Sequence, residues 1–278
     1  MYLSESDSKR IIKEYNSGEL SIKDLSITYN VTYHTIYSLL KNNEIDTSLK
    51  PYLRRKKLKR FEIDDNYFEC IDNNDKAYIL GIISSDGYLT TNKKQLRIKL
   101  TDIDLLEKIK IKMNYLKPLN NNKKYKQSHK LSKTLIIVNG KIYDDLINLG
   151  ISPSKSYTNR LPNFDFNYMP SFIRGFFDGN GCVMVYKNKK DKLIGEIKIV
   201  STVVLCNQLI NYLQSKGIVC YLDRDKRIDN RIGELRIRAI KSVCDFYNLI
   251  YTNTNDEIYL NRKKEKFLPL IKYFYGKL

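Results

Sequence analysis

The 278-residue chain has no tryptophan, no long apolar run and no close pair of cysteines. No stretch approaches the roughly 20 consecutive apolar residues that a membrane-crossing helix needs, so a membrane partner is not expected. The first residues, MYLSESDSKR, lack the basic and then apolar regions of a secretory signal. Cys70, Cys182, Cys206, Cys220 and Cys244 lie far apart without a CxxC motif, which gives little support to a disulfide framework or a zinc cluster. A reducing intracellular compartment, cytoplasmic or nucleoid-associated, is therefore expected, with nuclear and organellar sites left open. The missing tryptophan is offset by 22 tyrosines and 10 phenylalanines in a chain that is 42% hydrophobic. That much core material excludes wholesale disorder. Acid is also short: 31 Asp and Glu stand against 49 Lys and Arg, a formal charge of +18. Such a balance favours a polyanionic partner without choosing among DNA, RNA and anionic membrane.

The charge is unevenly placed. Residues 1–49 carry five basic and seven acidic groups, whereas residues 50–60, KPYLRRKKLKR, carry seven basic groups and no acid. A near-neutral head (1–48) is thus joined by a basic linker (49–66) to a basic body. Arg54, Arg55, Lys56, Lys57, Lys59 and Arg60 read as a solvated connector, as a segment lying along a phosphate backbone, or as a nuclear localisation signal. Phosphate contacts of that kind add salt-dependent affinity with little base discrimination.

Three short helical patterns fill the head. Ile11, Ile12 and Tyr15 share one side of the first, which Asn16-Ser17-Gly18 ends. Ser21, with Asp24 three residues on, can cap a second helix through Ile22, Leu25 and Ile27. Asn30 breaks the pattern, and Thr32 can cap a third helix carrying Ile36, Leu39 and Leu40. The run SIKDLSITYNVTYHTIYSLL resembles helix-turn-helix modules, especially those of resolvases and small regulators. That resemblance implies that Val31 and Ile36 lock the two helices together, with Tyr33, His34, Thr35 and Tyr37 available to a DNA groove. A three-helix protein-interaction domain is the competing reading, and the head's net charge of −2 favours it.

The body repeats itself. NNDKAYILGIISSDGYLT (73–90) and NYMPSFIRGFFDGNGCVMV (167–185) share a grammar of apolar helix, central glycine, helix end and strand. Gly81 and Gly175 are 94 residues apart, as are Gly87 and Gly181, which points to an internal duplication. Each motif is followed by a strand (95–101, 195–201), a helix (104–113, 203–213), a strand (131–138, 232–238) and a helix (141–150, 241–250). Glycines at a helix contact permit close backbone approach, so Gly81 and Gly175 can form a two-helix seam, with residues 86 and 180 meeting at one end of it.

These paired motifs, ILGIISSDG (79–87) and IRGFFDGNG (173–181), strongly resemble the LAGLIDADG homing-endonuclease family in its single-chain, two-repeat form. The resemblance covers residues 67–278 and implies an α+β body, a pseudo-twofold duplicated αββαββα arrangement of two curved antiparallel sheets, preceded by the small all-α head. It implies repeats at 67–160 and 161–278 (the second with a C-terminal helix), a monomer with internal symmetry, and a long asymmetric site on double-stranded DNA. It further implies phosphodiester hydrolysis with Mg2+, for which Ca2+ or Mn2+ can substitute in a crystal, and a role in intron or intein mobility.

Asp86 occupies the position of the family's metal-binding aspartate, but the second motif carries Asn180 there. Asparagine offers a neutral oxygen and cannot anchor a hard cation by charge. Three accounts stand open: a substitution introduced to stall cutting, a natural enzyme that nicks with Asp86, or a site decayed into a DNA-binding regulator or an intron-RNA splicing partner. Asp178 matches Ser84 and reads as a structural hydrogen-bonding group or a displaced ligand. Lys99 and Lys198 are candidates for the basic groups that family members place beside the metals. Strand alternation puts Arg97 with Lys99, and Arg236 with Arg238, on shared faces suited to base and phosphate contact. The KNKKDK run (187–192) reads as a hairpin tip or a flanking-DNA contact. Lys263, Lys264 and Lys266 open a helix-like stretch in which Phe267, Leu270, Ile271 and Phe274 cover the body.

Overall fold

A computed structural model describes residues 3–18, 20–48, 63–122, 131–223, 230–252, 254 and 258–276. The basic stretch from Arg54 to Arg60 lies outside the described residues. The chain divides into two compact units, Met1–Glu62 and Ile63–Leu278.

In the first unit, α1 (Glu5–Asn16), α2 (Ile22–Thr28) and α3 (Tyr33–Asn42) surround Ile11, Tyr15, Ile22, Leu25, Ile36 and Leu40. Ser21 and Asp24 form a reciprocal capping box at α2, and the Thr32 hydroxyl accepts from Thr35 N–H at α3. Between these helices Asn30 takes a left-handed φ of 49°, the turn that separates them. Ile27 lies in α2 but is 70% exposed. Ile22 and Leu25, three residues apart, already fill the inward side of this seven-residue helix, and Ile27 points away from it.

The second unit runs through α4 (Asn74–Asp86), β1 (Gly87–Thr90), β2 (Gln95–Leu100), α5 (Ile103–Lys112), β3 (Asn120–Asn121), β4 (Lys133–Val138) and α6 (Gly140–Asn148). The same order then recurs as α7 (Met169–Asn180), β5 (Gly181–Lys187), β6 (Leu193–Thr202), α8 (Val203–Ser215), β7 (Tyr221–Asp223), β8 (Ile232–Ile237) and α9 (Ile240–Tyr251). Two antiparallel sheets result, β1-β2-β4-β3 and β5-β6-β8-β7. Their registers match: Gly87 pairs with Ile98 and Ile98 with Leu135, as Gly181 pairs with Ile199 and Ile199 with Leu235. The architecture is the duplicated αββαββα arrangement.

Leu89, Leu96, Ile98, Leu135 and Ile137 point inward from the first sheet, and Val183, Ile197, Ile199, Leu235 and Ile237 from the second. Alternation therefore turns Tyr88, Gln95, Arg97, Lys99 and Ile136 to the opposite face of the first sheet, and Cys182, Glu196, Lys198, Glu234 and Arg236 to that of the second. The 187–192 run spans the β5–β6 hairpin. The C-terminal stretch is not one helix. Pro269 starts a new helix, giving α10 (Asn261–Glu265) and α11 (Leu268–Tyr275), with Phe267 and Leu270 fully buried between and beneath them.

Candidate functional site

Helices α4 and α7 meet backbone to backbone. A Cβ placed on Gly81 would overlap the Phe172 carbonyl, and one on Gly175 would overlap the Tyr78 carbonyl. Only glycine allows this approach. Ile79, Leu80, Ile82 and Ile83 on one helix, and Ile173, Phe176 and Phe177 on the other, are all at most 1% exposed. The contact holds to the C-terminal ends, where a Cβ on Gly179 would overlap the Ser85 hydroxyl and Asp86 Oδ2. Gly179 thus leaves a notch occupied by the side chains of the other helix.

Asp86 is half-buried at the end of α4. Burial pushes its carboxyl above the ordinary aspartate range, opposed by the Ser85 hydroxyl 3.2 Å away and by the charges of Lys155 and Lys263. Both lysines come from the segment after the third helix of their own half, and each donates to the carbonyls of its own motif helix. Lys155 Nζ donates to Ser85 O at 2.5 Å, while Asn159 Nδ2 donates to Ser84 O at 2.9 Å. Lys263 Nζ donates to Phe177 O and Asp178 O at 2.7 Å and to Gly181 O at 2.6 Å. Exposed carbonyls at a helix C-terminus carry partial negative charge, which explains why a cation is held at each end. Burial lowers both ammonium groups to about 8.

The two ends differ in chemistry. Asn180 is exposed, and its amide reaches only as far as Val200 O, 3.5 Å away. Lys263 is 6% exposed and spends its donors on carbonyls. Asp178 is enclosed in α7, where Oδ2 accepts from Tyr78 OH and Leu260 N–H and Oδ1 from Tyr251 OH, each at 2.8 Å. Burial raises its carboxyl to about 6. These bonds tie α7 to α4, to α9 and to the C-terminal segment.

Among the described residues there is no group of three His, Cys, Asp or Glu side chains that would hold a metal unaided. What the site offers is one carboxylate beside a notch cleared by Gly179 and two helix ends rich in carbonyl oxygen. Hard divalent ions such as Mg2+ are often held by one or two carboxylates, with water and phosphate oxygens completing the shell. Asp86 fits that requirement. The Asn180 side supplies a neutral oxygen only.

Lys99 and Lys198 are not equivalent positions. The matched registers pair Arg97 with Lys198 and Lys99 with Val200. Lys99 is exposed on β2, and Lys198 lies 3.9 Å from Glu196; the amines whose charge acts on Asp86 are Lys155 and Lys263. Nothing in the composition marks those two among 49 basic residues, because their role arises where the chain folds back onto the helix ends. Arg97, Arg236 and Arg238 stand on the outer sheet faces. On the head, Tyr33 and His34 are exposed and the Tyr33 and Tyr37 rings stack at 6.4 Å, whereas the Thr35 hydroxyl is 2.9 Å from that of Thr32 at the start of α3.

The second unit is therefore a duplicated α+β protein, with a carboxylate under the charge of two lysines where its central helices end. No protein-family model matches the chain. Its similarity to solved structures is low in sequence. I-SmaMI bound to an uncleaved DNA target in the presence of calcium ions is 14% identical, covering 74% of this chain and 92% of that one, with a TM-score of 0.48. The LAGLIDADG meganuclease I-AabMI bound to uncleaved DNA is 12% identical over 74% and 92%, at 0.49. The LAGLIDADG homing endonuclease I-GzeII in complex with its DNA target is 17% identical over 74% and 91%, at 0.47.

Proposed function

We propose that the chain is a site-specific DNA endonuclease of the LAGLIDADG homing type, with one competent half and one impaired half. The observation that carries this reading is Asp86 at the glycine-packed helix end, against Gly179 of the other helix and next to the Ser85 carbonyl that holds Lys155. Asp86 would hold a divalent ion such as Mg2+, with Asn180 as a weak neutral donor on the other side. When bound, such an ion lowers the pKa of water and neutralises charge on the phosphoryl group. The chain's own residues do the rest. Burial keeps water away from part of Asp86, the Ser85 hydroxyl steadies its Oδ2, and the Lys155 ammonium provides a fixed positive charge beside a phosphate. Lys263 is held against four carbonyls and has little freedom to serve a second phosphate.

The outer faces of the two sheets would lie along duplex DNA, with Arg97, Lys99, Arg236 and Arg238 among the contacts. The head and the basic linker, with Tyr33, His34 and Tyr37 on α3, would extend the site. The chain would act as a monomer on a long asymmetric target, in an intracellular compartment.

The test is strand-resolved. Duplexes bound by the full chain are selected from a randomised pool, cloned into supercoiled plasmid and incubated with Mg2+. The expected product is a nicked circle cut on one strand. Asp86→Asn should lower nicking by roughly 10²-fold or more, the scale for losing a group that stabilises transition-state charge, and Asn180→Asp should yield linear product. Equal cutting of both strands by the wild type would reject the impaired half. Tight duplex binding without any cutting would instead mark a regulator. Preference for structured intron RNA would mark a splicing partner.

A further inference from the structure

The matched registers make Gln95 and Glu196 equivalent positions, three residues before Ile98 and Ile199. Both lie on the outer face of their sheets, yet they are only 8% and 6% exposed. Each is an acceptor set beneath a guanidinium. Gln95 Oε1 accepts from Arg97 Nε and Nη2 at 3.2 and 3.0 Å. Glu196 Oε1 accepts from Arg238 Nε at 2.9 Å and from Arg236 Nη1 at 3.4 Å.

The two arginines at Glu196 are in different states. Arg236 Nε and Nη2 reach Glu234 Oε2 at 2.9 and 2.6 Å, Nε also lies 3.0 Å from Asp223 Oδ2, and Nη1 faces Glu196. All three of its nitrogens are engaged, and its side chain is 17% exposed. Arg238 is held through Nε alone among the described residues, is 53% exposed, and lies 5.8 Å from the Tyr221 ring. Anchoring Nε orients the guanidinium plane, and among the described residues Nη1 and Nη2 donate to no partner, a parallel pair of donors on a side chain that is half exposed.

Charge bears on what that fork is for. Among the described residues, Lys198, Arg236 and Arg238 share their face with Glu196, Glu234 and Asp223, so these six groups balance one another. The outer positions of β1, β2 and β4 hold Arg97 and Lys99 and no carboxylate. A two-donor fork set among balanced charges matches the O6 and N7 acceptors of guanine in the major groove. We propose that Arg238 reads a guanine and that Glu196 is the positioning residue that aims it, while Arg236 braces the sheet. The inference rests on the duplex-DNA reading given above.

The test uses the full chain and a randomised duplex pool, reading base preference at each position and salt dependence together with melting temperature. Wild type should show a position where guanine is favoured. Arg238→Gln should erase that one preference, about ten- to hundred-fold, with the others intact and the salt slope nearly unchanged. Arg238→Lys should not restore it. Glu196→Met should lose the same preference, and Glu196→Gln should keep it, because Gln95 shows that an amide oxygen can hold a guanidinium here. Arg236→Gln should lower the melting temperature and leave the guanine position unchanged. Uniform weakening by Arg238→Gln, with the salt slope reduced by about one, would make Arg238 a phosphate contact and overturn the proposal, as would an unchanged preference in Glu196→Met. If wild type selects no duplex at all, the DNA reading itself falls, which is a separate result.

Discussion

Asp178 shows at the scale of one residue how a carboxylate can be a structural device two positions from a candidate site. Its raised value means that the folded chain holds the proton more tightly than the unfolded one. The favourable contribution is therefore complete below the unfolded value of 3.8 and is lost as pH rises to about 6. At 1.36 kcal/mol per unit the swing is at most about 3 kcal/mol. Asp178→Asn should remove that slope, so urea denaturation should find the wild-type advantage shrinking by up to about 3 kcal/mol between pH 4 and pH 7. Variant and wild type running parallel across that window would contradict the assignment. The sequence places Asp178 correctly away from Asn180, by its match to Ser84. It does not reveal Tyr78, Tyr251 and Leu260 as its partners, which lie 100, 73 and 82 residues away.

At the scale of elements, the α4–α7 seam depends on backbone contact. Gly175→Ala would drive a methyl into the Tyr78 carbonyl, a rigid neighbour that cannot rotate aside. Overpacking of this kind costs about 1–3 kcal/mol or more, seen as a lower melting temperature. Gly140→Ala is the control: it meets only Lys94 Cδ at 3.7 Å and starts a helix with no left-handed φ. It should be neutral or stabilise by about 0.4–1 kcal/mol. Element existence was legible because each helix and strand carries its own period and caps. The Ser21–Asp24 box, the Thr32 cap and the alternation in β2 and β8 all act within a few residues. The break before Pro269 is not legible in the apolar spacing of Phe267, Leu270, Ile271 and Phe274, because it accompanies a long-range contact: Lys263 donates to the carbonyls of Phe177, Asp178 and Gly181.

At the scale of the whole molecule, the dominant property is charge. The basic stretch contributes six cations at 54–60, a third of the formal +18. If they lie on phosphates, replacing Arg54, Arg55, Lys56, Lys57, Lys59 and Arg60 with glutamine should flatten the slope of log K against log salt by up to about 5. An unchanged slope in a filter-binding titration would make the stretch a simple connector. The two halves of the body are also joined by a bidentate bridge, Arg262 Nε and Nη2 to Asp102 Oδ1 and Oδ2, both at 2.7 Å. It crosses 160 residues of chain and starts one residue from Lys263.

Local sequence carries most of the helices and strands, the caps at Ser21 and Thr32 and the repetition of the order, since periodicity and capping are satisfied by near neighbours. It also marked Asp86 and Asn180 as unlike, because side-chain charge needs no fold to be read. The packing of distant segments sets which of 49 basic residues act by charge on that carboxylate, and which arginine of a strand pair is braced and which stays half exposed. Those outcomes depend on burial and on partners distant in sequence, and neither is encoded within a single element.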